Sequence, residues 1–303
     1  MSRLSTLSEW SMLSYDAVQP GERMTLSVRN NYFKGGIILT ALSLGLTAAG
    51  GYYAFSALPD ALTSASKRSS EMLPGLAGII ERFSEASATV PFWTILGAVA
   101  YSFIGIILIF YFFEKTSSPE ILFIGFFVIS LSLEFTRIAI PLIRVIPFPS
   151  IYLITASKVL IFGRYFGLFS LFAAGVHAAG MEIQKQQTIF FLTLLSALII
   201  VWNIPVDNVE WDSTFVFSYG YSSMFHIVEA GILIITVVTF IISAYTRSSR
   251  TYIHIGVGIL LVFTGRNILL NSDTWITPIP GFLLLSAGTW FICSRLRRMY
   301  LWL

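Results

Sequence analysis

The sequence predicts an all-α, polytopic integral membrane bundle of about eight transmembrane helices with both termini in the cytoplasm. Three observations carry this. Of 303 residues, 55% are hydrophobic and only 12% charged, whereas a soluble globular chain carries roughly 25% charged residues. The mean hydropathy is +0.77. Long apolar runs also recur along the whole chain, separated by short polar connections. So few charges would leave a 33.7 kDa soluble body with far too much exposed apolar surface. A soluble enzyme, a disordered chain and a nucleic-acid binder are all poor readings, and the lipid bilayer is the expected partner. The single cysteine, Cys293, forms no intrachain disulfide and no Cys-based metal site.

A helix needs about 20 mainly apolar residues to cross a hydrocarbon core about 30 Å thick. In order, the candidates are Gly35–Ala57, Phe92–Phe113, Glu120–Val145, Ser150–Gly180, Thr188–Pro205, Ser222–Tyr245, Tyr252–Leu270 and Trp275–Arg295. The connections hold Pro, Ser, Asn, Asp and charged residues, as at Glu114–Pro119, Pro147–Ser150 and Asn271–Asp273. The fourth candidate would make a straight helix of roughly 46 Å, so it is expected to tilt, to protrude, or to break near Gly163 or Gly167. Residues 1–34 read as a cytoplasmic tail, too long and too acidic for the n-region of a signal peptide. Residues 35–303 read as the membrane domain.

Orientation follows from the cations. Arg3, Arg23, Arg29, Lys34, Lys115, Lys185, Arg247, Arg250, Arg295, Arg297 and Arg298 fall on the side of the termini, against Lys67, Arg68 and Arg82 on the other. The positive-inside rule then places both ends in the cytoplasm of a cell (inner) membrane. The extracytoplasmic loop 58–91 has Leu73, Leu76, Ile80 and Phe83 at helical spacing, as in a helix lying on the membrane face or a lid across the bundle mouth. Leu4, Leu7 and Trp10 make a similar stripe in the tail. A weak internal repeat of four helices plus four, related as parallel units, comes from the shift that lays Ser117 on Ser248 and Arg164 on Arg295. Small residues at Gly45 and Ala49, and at Gly175 and Ala179, are spaced for close helix packing.

The expensive residues are those ionised at membrane depth, and each is a functional hypothesis. Glu134 and Arg137 stand roughly 21 and 25 Å up the third span, Lys158 about 12 Å below the outer end of the fourth, and Arg266 about 21 Å up the seventh. His226 and Glu229 lie about 6 and 10 Å below the outer end of the sixth. Arg144 sits at the rim above this layer. Arg164 lies about 21 Å down its helix, suited to a cavity floor or to the inner interface. Glu134 with Arg137, and His226 with Glu229, share a helix face at a spacing of three. Pro141, four residues after Arg137, would kink the third span.

Two readings of this layer compete. In one, Arg137, Lys158, Arg266 and the rim Arg144 give a wet, outward-facing pocket its positive charge, and Glu134, Glu229 and His226 orient them; the ligand is a small anion or an anionic lipid headgroup. In the other, the layer is a closed ion-pair network that sets helix register, and the chain is a non-catalytic subunit, sensor or scaffold beside a membrane-protein partner or a second copy. An intramembrane enzyme with Glu134 and Glu229 as acid and base is a third reading, without a supporting motif. The histidines are split between the two sides, which argues against a shared zinc ion. His177 and His254 face the same leaflet and would suit one haem, but interfacial hydrogen-bonded histidines are the simpler expectation. No cofactor or metal is expected.

Overall fold

Helices α1 (Leu26–Ala57) and α2 (Val90–Phe113) lead into a third span built from α3 (Pro119–Ser130), a 3-10 stretch (Leu131–Ile138) and the short α4 (Ala139–Ile143). The chain continues through α5 (Ser150–Ala178), a 3-10 turn at Ile183–Lys185, α6 (Gln186–Asn203), α7 (Ser222–Thr246), α8 (Thr251–Leu270) and α9 (Pro278–Leu301). This computed structural model describes residues 26–57, 87, 89–116, 118–143, 146, 149–205, 212–216, 220 and 222–301. Eight of its helical segments are long and apolar enough to cross a membrane, so the chain is a multi-pass membrane protein. The tail stripe, the helical pattern in loop 58–91 and Arg144 lie outside the described residues.

The third span is the hub. In its most apolar stretch 83% of residues are buried, against 22% in α6 and in α7, so the outer helices face lipid and the third span faces protein. It is flanked by α1 and α2 on one side and by α5 on the other. Helices α6 and α7 pack on α5, α8 packs on α7, and α9 packs on α8.

Helix α1 starts at Leu26, ahead of the Gly35 start that the apolar run suggests. The extension has a physical cause in Arg29, which is buried and donates from Nη2 to the carbonyls of Phe113 at 2.9 Å and Glu114 at 2.7 Å. Carbonyls at a helix C-terminus lack intrahelical partners, and a cation there also meets the negative end of the dipole. Helix α9 starts at Pro278, where a missing N–H does no harm.

Glycine sets two close approaches. α5 runs unbroken through Gly163 and Gly167. A Cβ on Gly163 would lie 2.8 Å from Leu133 Cβ, and one on Gly167 would collide with Ser130 Oγ; both glycines therefore let α5 lie tightly on the third span rather than breaking the helix. The α8–α9 seam is closer still. A Cβ on Gly265 would meet Leu285 N at 2.5 Å, one on Gly281 would meet Leu269 N at 2.8 Å, and one on Gly288 would meet Gly258 O at 2.9 Å. Backbone meets backbone here, the packing mode that replaces the hydrophobic effect between helices in lipid. Gly175 packs on Phe240 and Thr239, while a Cβ on Gly45 would meet open space.

Candidate functional site

The 3-10 stretch Leu131–Ile138 falls where the third span carries its charges. Runs of 3-10 helix longer than three or four residues are uncommon, and in mid-helix they mark hinges or strained segments. Side chains three apart eclipse in this geometry, which stacks Glu134 beneath Arg137; Arg137 Nη1 donates to Glu134 Oε2 at 3.2 Å. Both residues are buried, at 2% and 1% exposure.

Glu134 is held from a second helix as well. Arg164 of α5 donates from Nε to Oε1 at 3.0 Å and from Nη2 to Oε2 at 3.3 Å. Arg137 in turn donates from Nη2 to the carbonyl of Leu270, at 3.2 Å near the end of α8, and to the carbonyl of Thr214. One carboxylate, two guanidinium groups and two carbonyls thus tie the third span to α5, to α8 and to segment 212–216.

Arg266 of α8 completes the cluster. It is 3% exposed, with Glu229, Arg164 and Glu134 among its charged neighbours. Its buried Nη1, like Arg137 Nε, has no hydrogen-bond acceptor among the described residues. Arg137 and Arg266, both buried, are thus set around the buried carboxylate of Glu134, with the partly buried Glu229 beside Arg266 and the exposed Asp212 beside Arg137. Glu229 lies 3.8 Å from Nδ1 of the exposed His226, which faces outward from α7.

The layer expected from depth alone is thereby redrawn. The structure brings Glu134, Arg137 and Arg266 together and adds Arg164. Glu229 and His226 stand at the edge. Lys158 takes another direction: its ammonium lies 5.7 Å from the ring centroid of Trp202 on α6, a residue 83% exposed. Among the described residues Lys158 has no acidic partner. Arg164, expected about 21 Å down its helix at a cavity floor or at the inner interface, is a direct partner of Glu134.

A second polar group, unforeseen from the sequence, gathers where α3 begins and α5, α7 and α9 end. Glu120 is buried and accepts from Ser118 Oγ at 2.7 Å and Tyr300 OH at 2.8 Å. Arg247 donates to Tyr252 OH at 2.9 Å and to the carbonyl of His177 at 3.2 Å. The His177 ring is buried against Phe123, stacked at 5.3 Å, whereas His254 is exposed and bonded to the Arg250 carbonyl. These surroundings do not present the two imidazoles as a facing pair. Among the described residues no three His, Cys, Asp or Glu side chains gather as a metal site.

No family model matches the chain, and no curated protein or solved structure is significantly similar to it.

Proposed function

We propose that the chain binds a small anion, free or as a lipid headgroup, at the Arg137–Arg164–Arg266 cluster, and that passage of this anion across the membrane is its activity. The observation that carries this reading is the buried Arg266, whose Nη1 has no acceptor among the described residues. A guanidinium taken out of water and left unpaired costs several kcal/mol, and charges at membrane depth are retained where they serve a ligand path. An anion seated beside Arg266 would give Nη1 its acceptor. The 3-10 stretch supplies a place for the third span to flex around that site. The distribution of loop cations supports cytoplasmic termini, which puts the cluster in the outward half of the bundle. The reading is binding rather than catalysis, because both oxygens of Glu134, the buried carboxylate of the cluster, already accept from arginines.

The direct pairing of Glu134 with two arginines favours a second reading, in which the cluster only clamps helices in a scaffold subunit. Thermal unfolding of the purified protein across chloride, nitrate, sulfate and phosphate separates the two. Binding predicts a saturable rise in melting temperature with one of these anions, lost in Arg266→Gln, and uptake of that anion into proteoliposomes. A clamp predicts no anion dependence and a lower melting temperature in Arg266→Gln at every anion concentration.

A further inference from the structure

Apart from the arginine cluster, a groove of about 830 Å³ opens between α2 and α9. Its walls are mainly apolar, formed by Gly97, Ala100, Ile104 and Leu108 on α2 and by Ser286 and Trp290 on α9. The helices close together at one end, where the ring of Phe282 fills the space beside Gly97. Two hydroxyls in the wall are already partnered. Tyr101 OH and Thr289 Oγ1 share a hydrogen bond at 2.5 Å, and Thr289 Oγ1 also donates to the Leu285 carbonyl at 2.9 Å.

The other end is cationic. Arg297 and Arg298 line it, and the Arg297 guanidinium lies 5.1 Å from the centroid of Phe112, at the foot of α2. Among the described residues neither arginine has an acidic partner. Length identifies the occupant. At 1.5 Å per residue the lining runs roughly 24 Å along α2, from Gly97 to Phe113, and roughly 18 Å along α9, from Ser286 to Arg298. One leaflet including its headgroups is about 20–22 Å, half the full bilayer thickness. A crossing partner helix would need the whole hydrocarbon core, about 30 Å, and would find no use for two bare arginines at one end.

The geometry points to a dedicated site for one anionic phospholipid, its acyl chain lying between α2 and α9 and its phosphate held by Arg297 and Arg298. Forked guanidinium donors suit phosphate oxygens, and the long arginine stems can reach the headgroup level from the helix end. This site is independent of the arginine cluster on the third span, α5 and α8.

The test uses the full chain in nanodiscs of equal phosphatidylglycerol and phosphatidylcholine, followed by native mass spectrometry of the released protein. Wild type is expected to retain one phosphatidylglycerol. The double variant Arg297→Gln, Arg298→Gln is expected to retain it about 30-fold less well. Ser286→Trp, which fills the groove and leaves both arginines in place, is expected to lose it as well. A photo-reactive benzoylphenylalanine in place of Trp290, where the wall already holds a large aromatic ring, should cross-link to lipid. Retention at the wild-type level in both variants overturns the proposal. So does a cross-link to this chain or to a second copy, or equal retention of both lipids by wild type.

Discussion

Arg164 Nε lies 3.0 Å from Glu134 Oε1, a bond that joins α5 to the third span in the middle of its 3-10 stretch. The same carboxylate also holds Arg137 at 3.2 Å. Glu134 is therefore the shared counter-ion of two arginines on different helices, and its charge matters more than its shape. Replacing it by glutamine keeps the volume and one acceptor but leaves the buried cations uncompensated. Glu134→Gln is expected to destabilise the fold by about 3–5 kcal/mol, as breaking a buried pair from one side does. Adding Arg164→Met should restore part of the loss. Thermal unfolding in detergent measures both; a Glu134→Gln protein that melts like wild type would show that the pair contributes nothing.

The α8–α9 seam makes a sharper steric claim. Any side chain at Gly265 drives a carbon to 2.5 Å from the backbone nitrogen of Leu285, and backbone cannot step aside as a flexible side chain can. Gly265→Ala is expected to cost about 1–3 kcal/mol, the range for overpacking. Gly45→Ala is the control, since its Cβ would meet open space; relief of the glycine entropy penalty should leave it neutral or up to about 1 kcal/mol more stable. Comparing the two melting temperatures checks the seam directly.

The eight spans were legible because crossing a bilayer constrains composition over a long window. The expected Phe92–Phe113, Thr188–Pro205 and Tyr252–Leu270 differ from Val90–Phe113, Gln186–Asn203 and Thr251–Leu270 by only a residue or two at each shifted end. The Glu134–Arg137 pair was legible from its spacing. Rotation about the helix axis was not: Lys158 shares the layer's expected depth but is turned toward Trp202. Periods of 3.0 and 3.6 also diverge too little over Leu131–Ile138 to betray a 3-10 stretch. The tightest seam escaped a search for small residues four apart because its glycines, Gly258 with Gly265 and Gly281 with Gly288, are spaced differently. Arg164 and Arg295, matched by the sequence shift, stand in unlike settings, one on Glu134 and the other against the Phe291 ring.

Orientation is open to a direct check. Ser213 lies between α6 and α7, and Ser248 lies between α7 and α8. Both are exposed. With Cys293→Ser as background, Ser213→Cys is expected to react with a membrane-impermeant maleimide added to intact cells, and Ser248→Cys only after permeabilisation. The opposite pattern would reverse the assignment drawn from the loop cations.

Lys158 and Arg266 offer the contrast that locates the anion site. Both are cations on spans, and depth alone ranked them as equals. Arg266 is 3% exposed beside Arg164 and Glu229, whereas the Lys158 ammonium lies over the ring of Trp202, which faces outward. An anion drawn to the unfilled donor of Arg266 should therefore sense Arg266 and ignore Lys158. Equilibrium binding of radiolabelled sulfate or chloride is expected to weaken at least about tenfold in Arg266→Gln, equivalent to about 1.4 kcal/mol. Arg266→Lys should fall between, keeping the charge but losing the forked donor. Lys158→Met should stay within about twofold of wild type, because its cation–π contact, about 0.5–1 kcal/mol at an exposed site, acts between α5 and α6 alone. If Lys158→Met weakened binding as much as Arg266→Gln, the site would lie between α5 and α6 and the buried cluster would be a clamp.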